Sequence, residues 1–180
     1  MTGVRTATGS TEPLSRNRPE TAGFPCFTPP PGFGSLHLDL GCAGGTFLQA
    51  AALRFPEDFF LGVEQQSGRV LRSVKKIVRS GLPNAAVVTG TMPGILENIV
   101  AEHTVCWIHV LFPDPWPKRR HAARRLIQMS SPPLFGRLLR PGGRLRFLTD
   151  QEPYWLLASG AFARAEDWEL LADDPVEGWP

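Results

Sequence analysis

The chain has 180 residues, 42% hydrophobic and 20% charged, with a formal net charge of +2, the composition of one ordinary soluble domain with room for a core. No apolar run reaches the roughly 20 residues that span a bilayer, and no secretory signal pattern opens the chain, so a cytoplasmic protein without membrane contact is expected. Cys26, Cys42 and Cys106 are scattered, and His37, His103, His109 and His121 show no ligand spacing, so neither disulfides nor a metal site is expected.

Residues 1–34 are rich in Pro, Gly, Ser and Thr, lack apolar periodicity, and read as a disordered arm. From Ser35 onward strand-like and helix-like segments alternate. Leu36–Leu40 is a strand, Thr46–Arg54 a helix stopped before Pro56, and Phe59–Val63 a second strand. Ser67–Ser80 carries Val70, Leu71, Val74, Ile77 and Val78 at helical spacing, with Gly81 at the stop. Ala85–Thr89 is a third strand, Gly94–Ala101 a helical stretch and Val105–Phe112 a fourth strand. Ala122–Leu139 is helical in part, bent or divided by Pro132-Pro133. Arg144–Leu148 is a fifth strand, Glu152–Ala163 a helix and Trp168–Leu171 a sixth strand. The alternation predicts an α/β fold in three layers, a mostly parallel sheet with helices on both faces, whose ligands bind beyond the carboxyl ends of the strands.

Chemistry-bearing residues collect at that edge. The loop Gly41-Cys42-Ala43-Gly44-Gly45 follows the first strand, Glu64 ends the second, Thr91 follows the third, Asp114 the fourth, and Thr149-Asp150 ends the fifth. The loop is a poor match to G-x-G-x-x-G, and Asp39 stands two residues before Gly41. A carboxylate there suits a cationic ligand better than a pyrophosphate, which favours a sulfonium methyl donor over a dinucleotide. Glu64 has the position of a ribose-hydroxyl acceptor. The stretch Phe112–Arg125, FPDPWPKRRHAARR, is stiffened by its prolines. From Pro115 to Thr149 there are nine Lys/Arg and no acid, whereas 150–180 holds eight acids and one Arg. The asymmetry points to a basic face for a polyanion, with a merely solvated helix face as the alternative. Thr149 or Asp150 also reads as a helix cap.

These motifs together resemble the tRNA (guanine-N7)-methyltransferase family. The resemblance runs from Leu36 to about Leu157, through Leu38–Gly45, Phe60–Glu64, Phe112–Lys118, Arg120-His121 with Arg124-Arg125, and Thr149–Tyr154. It implies a Rossmann-like class I methyltransferase sheet with S-adenosylmethionine as cofactor and tRNA as partner. Residue by residue, it implies Asp39, Gly41, Gly45, Glu64 and Thr91 on the methyl donor. Asp114 would lie beside donor and guanine as the catalytic residue. Lys118 and Asp150 would hold the target guanosine, and Arg120, His121, Arg124 and Arg125 would lie on the tRNA. The product would be 7-methylguanosine, made in the variable loop by a chain expected to be monomeric. Ala43 stands where the family usually has glycine, and Thr91 where it has Asp or Asn. A family T-x-[FY]-E motif and a last antiparallel strand do not follow Trp168–Leu171, so the domain, 35–180, reads as incomplete at its C-terminus, with an unpaired sheet edge and marginal stability expected. A class I methyltransferase with another substrate, and an inactive RNA-binding remnant, remain alternatives.

Overall fold

The computed structural model describes residues 2–7, 26–92, 94–171 and 179, residues 2–7 as backbone. The strands are β1 (Thr2–Ala7), β2 (Leu36–Leu40), β3 (Phe59–Glu64), β4 (Ala85–Thr89), β5 (Val105–Leu111), β6 (Leu139–Leu148) and β7 (Trp168–Leu171). The helices are α1 (Thr46–Arg54), α2 (Ser67–Arg79), α3 (Ser131–Leu138) and α4 (Glu152–Ala163). One sheet runs in the order β4-β3-β2-β5-β6-β1-β7, parallel from β4 to β6 and antiparallel where β1 meets β6 and β7.

Every residue of β2 and β3 is buried, as expected of parallel strands covered on both faces. The larger core joins Leu38, Leu61, Ile108 and Leu145 to Phe135 of α3 and Phe162 of α4. On the opposite face Leu48, Ala51 and Ala52 of α1 meet Ile77 of α2 over Phe60 and Ala85. Helix α2 turns a different stripe inward than its apolar spacing predicts. Ser73 and Ile77 are buried, whereas Leu71, Val74 and Val78 are exposed. The reason is local: Ser73 packs under the turn before α1, where a Cβ on Gly45 would stand 2.8 Å from its Oγ.

Pro132-Pro133 do not divide a helix. They open α3, at positions whose N–H groups have no intrahelical acceptor. The expected helical stretches Gly94–Ala101 and Ala122–Leu139 are shorter in the structure. The first is a 3₁₀ turn at Gly94–Glu97; the second resolves into a 3₁₀ segment, Arg119–Arg124, and α3. The fifth parallel strand begins earlier than expected, at Leu139.

The N-terminal segment departs most from expectation. Thr2–Ala7, placed by composition in a disordered arm, form β1. The remainder of that arm up to residue 25 lies outside the described residues. β1 pairs with β6 from Thr2↔Leu148 to Thr6↔Arg144, and with β7 from Val4↔Leu171 to Ala7↔Trp168. The antiparallel position beside β6, expected to be empty, is therefore filled from the other end of the chain, and β6 is not an unpaired edge.

Candidate active site at the carboxyl edge of the sheet

Register places the candidate residues side by side. Glu64 pairs with Thr89, Leu40 with Val63, Asp39 with His109 and Leu111 with Leu148. Along one edge the order is thus Thr91, Glu64, the glycine loop, Asp114 and Asp150. The glycine loop and the Asp114 loop flank the β2/β5 junction, where the direction of winding reverses and open α/β sheets bind ligands.

The glycine loop is held from beneath. Gly41 and Cys42 donate to the Val63 carbonyl at 2.8 and 3.1 Å, and Ser73 Oγ donates to the Ala43 carbonyl at 2.9 Å. Gly41 and Gly45 have φ of +80° and +72°, and Ala43 has +48°, so the position where the family usually has glycine keeps a left-handed backbone despite its Cβ. Burial, followed by the charges of Asp39 and Glu64, pushes the Cys42 thiol up to about 12; it is a packing group in this loop and not a nucleophile.

Two buried carboxylates lie under the loop, each 3% exposed. Glu64 is well satisfied: Oε1 accepts the Gln65 and Gln66 N–H groups at 2.8 and 2.9 Å, and Oε2 accepts the Ala43 N–H at 3.1 Å with Arg69 at 3.8 Å. Asp39 is not. Its Oδ2 has no hydrogen-bond partner among the described residues, and burial, with a smaller contribution from Glu64, raises its carboxyl to about 7. A buried acceptor left without a donor is costly, and its chemistry calls for a cation or a hydrogen-bond donor from a ligand.

The loop after β5 is fixed in an unusual shape. Phe112 and Trp116 have φ of +48° and +40°, uncommon for aromatic residues and typical of strain kept at functional sites. The Phe112 N–H bonds the Leu148 carbonyl at 2.8 Å, tying the loop to β6 beside Asp150. Arg125 donates from Nε to the Pro115 carbonyl at 2.9 Å and from Nη2 to the Trp116 carbonyl at 3.0 Å, and lies over the Tyr154 ring. Tyr154 in turn accepts the Ile127 N–H at 2.9 Å. The following segment reaches the glycine loop, since a Cβ on Gly41 would lie 3.9 Å from Leu126 Cδ1. Asp114, Lys118 and Asp150 are exposed on this rim, as is Thr91. Arg120 and Arg124 are exposed too; Arg124 stacks on Trp116 at 5.0 Å, and Arg120 bonds His121, whose ring meets Trp116 edge-on. Arg125, expected on the tRNA with them, is turned instead toward the loop's own carbonyls. Thr149, foreseen as a helix cap, accepts the Gln151 N–H at 3.1 Å, one residue ahead of α4.

A family described as "Putative methyltransferase" matches residues 34–177. The chain belongs to this methyltransferase family. It is 34% identical over 155 residues to a tRNA (guanine-N(7)-)-methyltransferase of Azorhizobium caulinodans, covering 81% of this chain and 65% of that protein. It is 37% identical over 147 residues to one of Thermus thermophilus, covering 80% of this chain and 46% of that protein. The chain therefore spans between about half and two thirds of these relatives' lengths. The fold is that of geranyl diphosphate C-methyltransferase from Streptomyces coelicolor (TM-score 0.51, 15% identity, 63% of this chain and 38% of that one). It is also that of PKMT2 from Rickettsia typhi (TM-score 0.50, 21% identity, 64% and 20%).

In this chain three supports escaped sequence reading: Ser73 beneath the glycine loop, Arg125 as a loop clamp, and Tyr154 as its anchor. The only signal for Ser73 was a hydroxyl at an inward position of α2, four residues before Ile77. A second buried polar group lies below the site. His37 Nδ1 and His109 Nε2 are 3.4 Å apart, and Trp179 covers both rings. Burial, then the charges of His37 and Arg146, hold His109 well below the usual imidazole range. Among the described residues no helix is long and apolar enough to cross a membrane, and no three His, Cys, Asp or Glu side chains group as a metal site.

Proposed function

We propose that this chain transfers the methyl group of S-adenosylmethionine to N7 of a guanosine in the variable loop of tRNA, giving 7-methylguanosine in the cytoplasm. The observation that carries the reading is the meeting at one rim of the rigid Phe112–Pro117 loop, Asp150 and the glycine loop over the unsatisfied Asp39. That site fits the donor: Asp39 offers a buried carboxylate oxygen to a cationic ligand, and Oε2 of Glu64, which accepts the Ala43 N–H and has Arg69 at 3.8 Å, keeps acceptor capacity for ribose hydroxyls. Gly41, Gly45 and Thr91 complete the donor side. S-Adenosylmethionine supplies an electrophilic methyl group on a sulfonium.

The chain's own residues then have a limited task. Guanine N7 carries a lone pair in the neutral base, so no side chain has to remove a proton before attack, and alignment is the main contribution. Asp114 and Asp150 place carboxylates beside a ring that becomes cationic on methylation. Lys118 holds the nucleotide, and Arg120, His121 and Arg124 meet the tRNA backbone. Guanine N7 lies in the major groove, which is deep and narrow in A-form RNA, so the target must be reached in a loop or turned out of its stack.

The test is incubation with S-adenosylmethionine and tRNA lacking the modification, with nucleosides read by mass spectrometry. The expected product is 7-methylguanosine. Asp114→Ala should abolish it while leaving the melting temperature unchanged, since Asp114 is exposed. Retained turnover in that variant would remove Asp114 from the chemistry.

A further inference from the structure

Phe112 is the residue on this rim that the mechanism above leaves without a task. Three observations single it out. Its side chain is 65% exposed although it directly follows β5. Its φ is +48°, a conformation disfavoured for a bulky L-residue. Its N–H is nonetheless locked onto the Leu148 carbonyl, so the strain is held by the sheet and not relaxed. A lone exposed aromatic needs no explanation, but one held outward by a strained, hydrogen-bonded backbone does. Backbone strain of this kind clusters at functional sites.

The place where the ring stands narrows its role. Phe112 is two residues before Asp114, and its backbone touches β6 two residues before Asp150. The other aromatic of the loop, Trp116, is occupied by Arg124 at 5.0 Å and by His121 at 5.6 Å. Among the described residues no aromatic or cationic side chain stacks on Phe112, and an exposed aromatic face two residues from Asp114 in the chain fits a flat, apolar-faced ligand that carries positive charge in the product.

We propose that Phe112 is the stacking platform for the target guanine. The inference rests on the proposed function and adds a substrate contact to it. A base–aromatic stack tolerates any large ring but not an aliphatic side chain. As N7 is methylated the purine becomes cationic, and attraction between a cation and an aromatic face strengthens the stack in the transition state. Guanine that is unstacked from its own strand recovers a stacking partner here, which lowers the cost of turning it out.

The experiment compares wild type with Phe112→Trp, Phe112→Leu and Phe112→Gly in the full chain. Four readouts are taken: kcat and KM for tRNA, tRNA Kd by filter binding, S-adenosylmethionine Kd by calorimetry, and melting temperature. Phe112→Trp should keep kcat/KM within about threefold, and Phe112→Leu should lose roughly 10- to 100-fold, with S-adenosylmethionine affinity unchanged. Phe112→Gly should lose as much activity yet melt about 2–4 °C higher, because glycine relieves the left-handed backbone. A merely structural Phe112 would do the reverse, losing stability on truncation. Full activity in Phe112→Leu, or a lower melting temperature with parallel loss of activity in Phe112→Gly, overturns the proposal. Should wild type bind tRNA without forming 7-methylguanosine, the proposed function fails. The tRNA Kd values of the Trp and Leu variants then decide the platform, and equal values reject it. Wild type that binds no tRNA rejects both.

Discussion

Asp39 and Glu64 show how two neighbouring carboxylates of equal burial can have opposite stakes. Glu64 is satisfied by backbone N–H groups, whereas Asp39 is raised to about 7 by desolvation and by Glu64. An acid whose folded-state value is raised favours the native state fully below its unfolded value near 3.8, and that advantage is lost as pH rises toward 7. His109, held low, acts in the other direction: its neutral form is fully favoured above about 6.5, and the native state loses stability as the pH falls below that. The wild-type curve therefore mixes the two, and a difference is the clean measurement. Asp39→Asn should become progressively more stable than wild type between pH 4 and 7, by up to about 4 kcal/mol at the top of the window, while binding S-adenosylmethionine more weakly. Urea melts across that range check it, and a difference that does not change with pH would mean Asp39 is ionised throughout. Composition and spacing were enough to locate Asp39, Glu64, Asp114 and Asp150 on one edge, because strand ends follow from periodicity. They were not enough to say which oxygen lacks a partner, since that depends on where the Ala43, Gln65 and Gln66 N–H groups point after folding.

At the scale of elements, the basic segment divides its labour. Arg125 clamps two carbonyls of the Pro115-Trp116 stretch, while Arg120 and Arg124 remain exposed. Arg125→Ala should free the loop and cut kcat about 10-fold or more, with a smaller change in the salt dependence of tRNA binding. Arg125→Lys should not rescue it, because an ammonium lacks the planar fork that reaches both carbonyls. Arg120→Ala and Arg124→Ala should instead raise KM and flatten the salt dependence. Steady-state kinetics at two ionic strengths separates these patterns, and a KM effect from Arg125 equal to that of Arg124 would return it to the RNA surface. The sequence could not make this distinction, since five basic residues in eight positions look alike until the loop closes. The same limit applies to α2. Its apolar residues have helical spacing, but the inward face was set by Ser73 meeting Gly45, a contact no periodicity encodes.

At the scale of the molecule, the parallel part of the sheet was legible because its strands alternate with helices at regular spacing. β1 was not, since six residues of mixed polarity far from the domain carry little signal. Its strand character comes from the two partners that flank it, β6 and β7. Deleting residues 1–7 should leave both partners with unpaired edges and lower the melting temperature by about 10 °C or more. Circular dichroism melts of the full and shortened chains check this, and coincident transitions would place β1 outside the cooperative unit.

The pairing of β1 also bears on how the protein is made. Thr2 meets Leu148, and Ala7 meets Trp168, so the residues of β1 leave a ribosome well before the strands they pair with. Loop closure over that span comes late and costs chain entropy before any contact repays it. During synthesis the segment stays open to proteases and to other chains. A refolding experiment should therefore show β1 protected from hydrogen exchange after β2–β5.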